Sequence, residues 1–307
     1  VAGWASGGPA GAPAGPPSWV DAPHIRAELL SDRAAIAPGD EARIAVRFVM
    51  EPGWHVYFRN PGDSGEAPRI SFRVLGEDGG TGPLQFGDPL WPTPHRLVSG
   101  PLTNYGYKDE LVLMAPVRLR ADGAAARAVV TVVADVHWLV CSEPCIPGQA
   151  QLGLTLAVQG TTGPGAGALP ASAGHAAVFA RAQAAVPQPV PADWGLQVQA
   201  TGGALILRAT LPLERAGGLL HVVPRAGGVI EDGEDSARQV TQWAGGALTL
   251  TLHRSDQLRT LPPTLQGVLL WERPGEPAMG YALDSPILEA AAVLSPGAPG
   301  SPASPVP

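Results

Sequence analysis

The chain has 307 residues, room for two domains of ordinary size, and 45% of them are hydrophobic, enough to bury sizeable cores. A net charge of −7 spread along the sequence excludes a basic nucleic-acid surface, and no apolar run reaches the ~18 residues that a membrane-spanning helix needs. The sequence opens on Val1 with neither a methionine nor an apolar leader, as expected of a processed or trimmed segment.

Residues 1–17, rich in Ala, Gly and Pro, bury too little surface to offset their ordering and are expected to be disordered. A first domain is expected over 18–159. It begins with two alternating, half-buried strands, Ile25–Leu30 and Ala42–Val49, around the turn residues Ala37-Pro38-Gly39-Asp40. The next strand sets His55 and Tyr57 on one face, with Trp54, Val56 and Phe58 on the other. Taken alone, a strand His beside a Tyr reads as a packed or partly solvated pair. Asn60-Pro61-Gly62-Asp63-Ser64-Gly65 has the chemistry of a turn. Ile70–Val74 alternates again, whereas Phe86–Leu102, carrying Pro89, Pro92, Pro94 and Pro101, reads as a long surface connection. On the loop expected after it, Tyr105 and Tyr107 flank Gly106, either as a cap over a neighbouring site or as strand-edge packing. Leu111–Leu119 is a further strand in which Pro116 suggests an edge or a bulge. The β-branched run Val129-Val130-Thr131-Val132-Val133 starts another. Its apolar face is Val130, Val132, Ala134, Val136, Trp138 and Val140, while Asp135, His137 and Cys141 share the other face. That strand is expected to end with Cys141 toward solvent or a partner, and Gln151–Val158 closes the domain.

Residues 160–192 read as a Gly/Ala/Pro-rich linker with a short helix, capped by Ser172, running through Val186 and stopped by Pro187. A second β-sandwich is expected over 193–292, with strands Gly195–Gln199, Ala204–Ala209, Leu219–Val223, Ala247–Leu252 and Gly267–Trp271 between Gly, Pro and Asp turns. Glu231-Asp232-Gly233-Glu234-Asp235 reads as a solvated loop, since it lacks the ligand spacing and closing glutamate of a calcium loop. Residues 293–307 are expected to be a flexible tail. No phosphate-binding glycine loop, nucleophile elbow or HExxH occurs.

The chemistry concentrates in Asp135–Gly148, which holds the only two cysteines, Cys141 and Cys145. In an extended strand their Cα atoms would lie about 13 Å apart, against the roughly 4.4–6.8 Å of a disulfide. A bond between them therefore requires a turn, for which Pro144 and Pro147-Gly148 are suited. So short a loop constrains the unfolded chain by only about 2 kcal/mol, which favours a redox couple over a staple. On the residues alone three readings stay open: a redox couple, a structural disulfide, and a Cu(I) or Zn site from His137, Cys141 and Cys145, spaced four apart.

Three motifs in order, Gly53-Trp54-His55-Val56-Tyr57-Phe58-Arg59-Asn60-Pro61-Gly62-Asp63-Ser64-Gly65, Asn104-Tyr105-Gly106-Tyr107 and Trp138-Leu139-Val140-Cys141-Ser142-Glu143-Pro144-Cys145-Ile146-Pro147, carry a family resemblance. The chain resembles the N-terminal periplasmic part of a DsbD-type membrane thiol-disulfide reductase, in the ScsB branch associated with copper-stress tolerance. The resemblance covers about residues 20–292, in the second half by architecture more than by motif. It implies an all-β fold of two immunoglobulin-like β-sandwich domains joined by the linker with its short helix. It also implies a periplasmic protein thiol-disulfide oxidoreductase with no cofactor and no metal. The Cys141/Cys145 couple would relay reducing equivalents from a membrane-embedded domain of the same full-length protein to periplasmic thioredoxin-fold proteins. This segment itself would neither insert in the membrane nor bind nucleic acid. By the same resemblance Cys145 is the attacking thiol and Cys141 the resolving one. Asn104 and Tyr105 match an aromatic cap loop, and His55 and Tyr57 match strand tyrosines beside the disulfide. The chain departs from the pattern in its closer cysteines, in Asn104 for a cap phenylalanine and in His55 for the first tyrosine. The rival readings are a copper-binding module using His137, Cys141 and Cys145, and a non-catalytic two-sandwich interaction scaffold.

Overall fold

Alternation of apolar and polar side chains, with β-branched residues in the longest runs, turns this chain into strands almost throughout. The computed structural model describes residues 15–77, 82–120, 128–159, 175–212, 217–231, 239–273, 275 and 278–289. The expected tails before 15 and after 289, the linker from 160 to 174, and the acidic loop beyond Glu231 lie outside the described residues.

The first sandwich contains β1 (Trp19–Ala22), β2 (Ile25–Ser31), β3 (Ala35–Ile36), β4 (Glu41–Met50), β5 (His55–Gly62), β6 (Arg69–Val74), β7 (Leu84–Phe86), β8 (His95–Ser99), β9 (Leu102–Lys108), β10 (Glu110–Leu119), β11 (Val129–Cys141) and β12 (Cys145–Val158). One sheet runs β1-β2-β4-β10-β7; the other runs β3-β12-β11-β5-β9-β8, with β6 beside β11. Their facing sides interdigitate through Ile44, Val46 and Phe48 of β4, Leu111 and Leu113 of β10, and Val132, Val136 and Val140 of β11. Each such side chain, fully buried, contributes about 1.5–3 kcal/mol.

Strand β10 carries Val112 and Met114 on its outer face, beside Ala45 of β4 and Leu30 of β2, so this apolar patch of the sheet also needs a cover. Helix α1 (Ala176–Ala185) supplies it, setting Val178, Phe179 and Ala182 against Leu30, Ala45, Val112 and Met114. It ends at Val186, whose extended backbone is what the following Pro187 demands. The expected cap, Ser172, lies outside the described residues.

After β13 (Gln188–Pro189) and a 3-10 turn at Ala192–Trp194, the second sandwich contains β14 (Gln197–Thr201), β15 (Ala204–Thr210), β16 (Leu219–Pro224), β17 (Gln239–Ala244), β18 (Ala247–His253), β19 (Thr264–Glu272) and β20 (Met279–Glu289). These form one continuous sheet in the order β16-β19-β20-β14-β15-β18-β17, with β13 beside β20. The sheet curls until its end strands meet. The Gln239 amide bonds both backbone groups of Val222 (2.7 and 3.0 Å), and the Thr241 hydroxyl donates to the Leu220 carbonyl (3.0 Å). Trp194, Trp271 and Tyr281 fill the interior.

Two expectations need correction. The proline-rich stretch 86–102 is not only a surface connection, because its proline-free part His95–Ser99 is strand β8 and pairs with β9. Pro92 and Pro94 are buried, and the Tyr107 hydroxyl donates to the Pro92 carbonyl at 2.8 Å. The expected loop 102–108 is strand β9 itself, with Tyr105 and Tyr107 both in the core. Pro116 sits inside β10 where β7 gives out, so its missing N–H costs no ladder bond there, and its carbonyl accepts from Gly87 N–H (2.8 Å).

The sandwiches are packed together. Val223, Val268 and Leu270 of the second join the core of the first. Asn60, buried near the end of β5, donates from Nδ2 to the Pro224 carbonyl at 3.0 Å. At the helix end, the Ala185 carbonyl accepts from both the backbone N–H (2.8 Å) and the hydroxyl (3.0 Å) of Thr93.

Candidate functional site

The site is the tip of the β11–β12 hairpin. Thirteen register pairs run from Val129↔Ala157 to Cys141↔Cys145, which leaves Ser142-Glu143-Pro144 as the connection. Direct opposition across two antiparallel strands brings the Cα atoms of Cys141 and Cys145 to 4.1 Å, and their sulfurs are bonded at 1.98 Å. The required turn is thus a tight hairpin, and β12 starts at Cys145 itself, earlier than the expected Gln151. Its apolar anchor is Trp138, whose indole lies across the backbone of its register partner Gly148. A Cβ there would overlap the ring.

The two sulfurs sit in unequal surroundings. Cys145 is exposed, whereas Cys141 is only 1% exposed. The expectation that Cys141 faces solvent or a partner does not hold: it is buried, with strand β5 pairing at His55 on the side away from β12. His55 and Tyr57 share this face, their rings edge to face at 5.2 Å, and the Tyr57 hydroxyl lies 3.9 Å from Cys145 Sγ. Burial, and then the neighbouring Lys108, lower the His55 pKa, so its imidazole is neutral at pH 7. Burial raises the Tyr57 pKa, keeping its phenol protonated as a potential donor to sulfur.

A loop holds Tyr57 from above. Gly65, at φ +95°, presses its backbone onto the Tyr57 ring so closely that a Cβ would overlap it. The loop is tied to β9. The Asp63 carboxylate accepts from Thr103 N–H (2.8 Å), the Asn104 side-chain carbonyl from Ser64 N–H (2.9 Å), and the Ser64 hydroxyl from Asn104 Nδ2 (3.0 Å). The structure therefore brings His55 and Tyr57 to the cysteine pair. It places Asn104 one step back, as the fastener of the loop on Tyr57, and Tyr105, 1% exposed, in the sandwich core. Asp63, Ser64 and Gly65 were read from sequence only as a turn. The signal present there was the pair of glycines, Gly62 and Gly65, both at positive φ.

His137 is not brought to the cysteines. It stands exposed four residues up β11 from Cys141, a span of about 13 Å along a strand. Among the described residues no group of three or more His, Cys, Asp or Glu side chains is placed to hold a metal ion, and none of the helices is long and apolar enough to cross a membrane.

The sequence model of the family "Thiol:disulfide interchange protein DsbD, N-terminal" matches residues 26–157, the stretch containing the hairpin, β5 and the loop. No curated protein sequence matches the chain. Among solved structures, the N-terminal periplasmic domain of ScsB from Proteus mirabilis is similar in fold. Its TM-score is 0.57 at 18% identity, over 87% of this chain and 97% of that one. The N-terminal Ig1-2 module of the Drosophila receptor protein tyrosine phosphatase DLAR aligns over 86% of this chain and 99% of its own, at 9% identity and a TM-score of only 0.18. Residues 26–157 thus match the DsbD N-terminal family, and they carry a disulfide-bonded cysteine pair of the kind that thiol-disulfide exchange requires.

Proposed function

We propose that this chain is the periplasmic exchange segment of a membrane-embedded disulfide reductase. It passes reducing equivalents from that membrane domain to periplasmic thioredoxin-fold proteins through Cys141 and Cys145. The observation that carries the reading is the asymmetry of the pair: an exposed Cys145 bonded to a buried Cys141 at a hairpin tip. An exchange couple needs one sulfur that a partner can reach and a second held within bonding distance but out of the partner's way. A purely structural bridge needs neither. The family match and the periplasmic ScsB domain of similar fold support the same reading.

The chemistry follows. Two electrons from the membrane domain, with two protons from solvent, open the Cys141–Cys145 bond to two thiols. Cys145, as thiolate, attacks one sulfur of the partner's disulfide; a bond forms between the two proteins and the partner's second sulfur leaves as a thiolate. Cys141 then attacks Cys145 Sγ, re-forming the internal bond and releasing the partner with both cysteines reduced. The Tyr57 O–H stands where it can stabilise the Cys145 thiolate, and His55, being neutral, adds no charge. Asn104 and the loop it fastens keep Tyr57 over the sulfurs, while Tyr105 anchors β9 from below.

The test is trapping with an oxidised thioredoxin-fold partner. The Cys141→Ala protein is expected to accumulate a mixed disulfide through Cys145, and the Cys145→Ala protein to give neither adduct nor transfer. Equal trapping by both single variants contradicts the assigned order, and no trapping by either contradicts the exchange reading.

A further inference from the structure

Away from the disulfide, the face between the two sandwiches holds an open cleft of about 800 Å³. The first sandwich contributes Arg59, Asp88 and Trp91, and the second contributes Arg225, Thr264 and Gln266. Two cations meet in it. Arg59 is half-buried, its guanidinium 5.4 Å from the Trp91 ring centre and 5.6 Å from that of Phe58, so aromatic rings flank the group. No acceptor is present: among the described residues Arg59 has no ion pair, and its buried Nε has no hydrogen-bond partner. Arg225 is exposed and likewise has no carboxylate within ion-pair distance among the described residues. It stands close enough to Arg59 for their like charges to oppose one another. Asp88, exposed, offsets Arg59 weakly from a distance.

A buried guanidinium N–H without an acceptor is costly, and a second guanidinium beside it adds repulsion. An oxyanion between the two guanidinium groups would relieve the repulsion and offset the cost of burying Arg59, because arginine forks present donors to carboxylate or phosphate oxygens in the geometry those groups accept. The Thr264 hydroxyl borders the same space, as does Gln266, whose amide donates to Asp284 Oδ1 at 3.2 Å, and Trp91, Pro89 and Pro262 give it apolar walls. We infer that this cleft is a binding site for a small, multiply charged oxyanion, a carboxylate or phosphate compound, clamped between Arg59 and Arg225 and so bridging the two sandwiches. Nothing in the disulfide chemistry calls on either arginine, so the inference stands apart from the exchange reading.

Calorimetric titration of the whole chain with citrate and, separately, with inorganic pyrophosphate, at fixed ionic strength, tests it. Saturable one-to-one binding of at least one is expected, and the arm that binds identifies carboxylate or phosphate as the ligand chemistry. The Arg225→Ala protein, altered at an exposed side chain and thus folded, should bind that anion about tenfold or more weakly. The nitrogen-15 signal of Arg59 Nε–H should shift on saturation, a readout that general charge screening does not give. A Cys145→Ala protein should bind as the parent does. Absence of saturable binding of both anions, or equal binding by the Arg225→Ala protein, overturns the inference.

Discussion

At 3.9 Å from Cys145 Sγ in the bonded state, the Tyr57 hydroxyl is placed to donate to the exposed sulfur once the bridge opens. Burial keeps that phenol neutral, so its proton remains available through the pH range in which a thiol ionises, about 8.5 for a free cysteine. A donor to the charged form lowers a pKa, and removing it raises one. In the Tyr57→Phe protein the Cys145 pKa should therefore rise by about half a unit to one unit, ~0.7–1.4 kcal/mol. The pH profile of iodoacetamide alkylation of reduced protein should shift to higher pH by the same amount; an unmoved profile would remove Tyr57 from the chemistry. From sequence, His55 and Tyr57 were placed on one strand face by period two alone. What period two could not give was the covering of Cys141, because that depends on β5 lying next to β11, a neighbour 86 residues away in sequence.

The elements around the pair are a hairpin that sets the sulfurs and a loop that sits on their neighbour. The hairpin was legible, since β-branched alternation and Pro144 marked a strand and its end. The loop was legible only as a turn, because the reason for its glycines is a tertiary contact. Gly65 is required twice over, by its φ of +95° and by the Tyr57 ring beneath it. The Gly65→Ala substitution should lower stability by about 1–3 kcal/mol through backbone strain and lift the loop from Tyr57. The measurable results are a lower urea midpoint and faster reduction of the disulfide by dithiothreitol. A destabilised protein with unchanged reduction kinetics would mean that the loop does not shield the pair. The same limit explains β8 and β9: prolines around a strand say that something is not a central strand, but not that an edge hairpin lies between them.

At the scale of the molecule, the strand that carries His55 and Tyr57 also carries Asn60, two residues before its end, which donates to Pro224 of the second sandwich and accepts from Gly62 N–H at 3.2 Å. One buried amide thus joins the exchange site's loop to the other half of the chain. The Asn60→Ala substitution leaves a buried carbonyl without its donor, a loss of about 1–3 kcal/mol. Scanning calorimetry should then show the single unfolding transition of the parent broadening or dividing in two. A sharp single transition at an unchanged temperature would show the halves to be coupled by other means. The sequence announced two sandwiches through strand spacing and turn residues, but not the curl of the second into one sheet closed by Gln239 and Thr241, because side-chain bonds between chain-distant strands leave no periodic trace. One feature of the first sandwich bears on how an exchange couple of the proposed kind would work over many cycles. The Cys141–Cys145 bond spans just three residues at the end of a ladder of thirteen pairs. Cutting it therefore frees hardly any chain, and the scaffold persists whichever oxidation level it holds. A docking protein would meet the same shape before and after the electrons move, so the direction of traffic is left to relative potentials rather than to recognition of a changed surface.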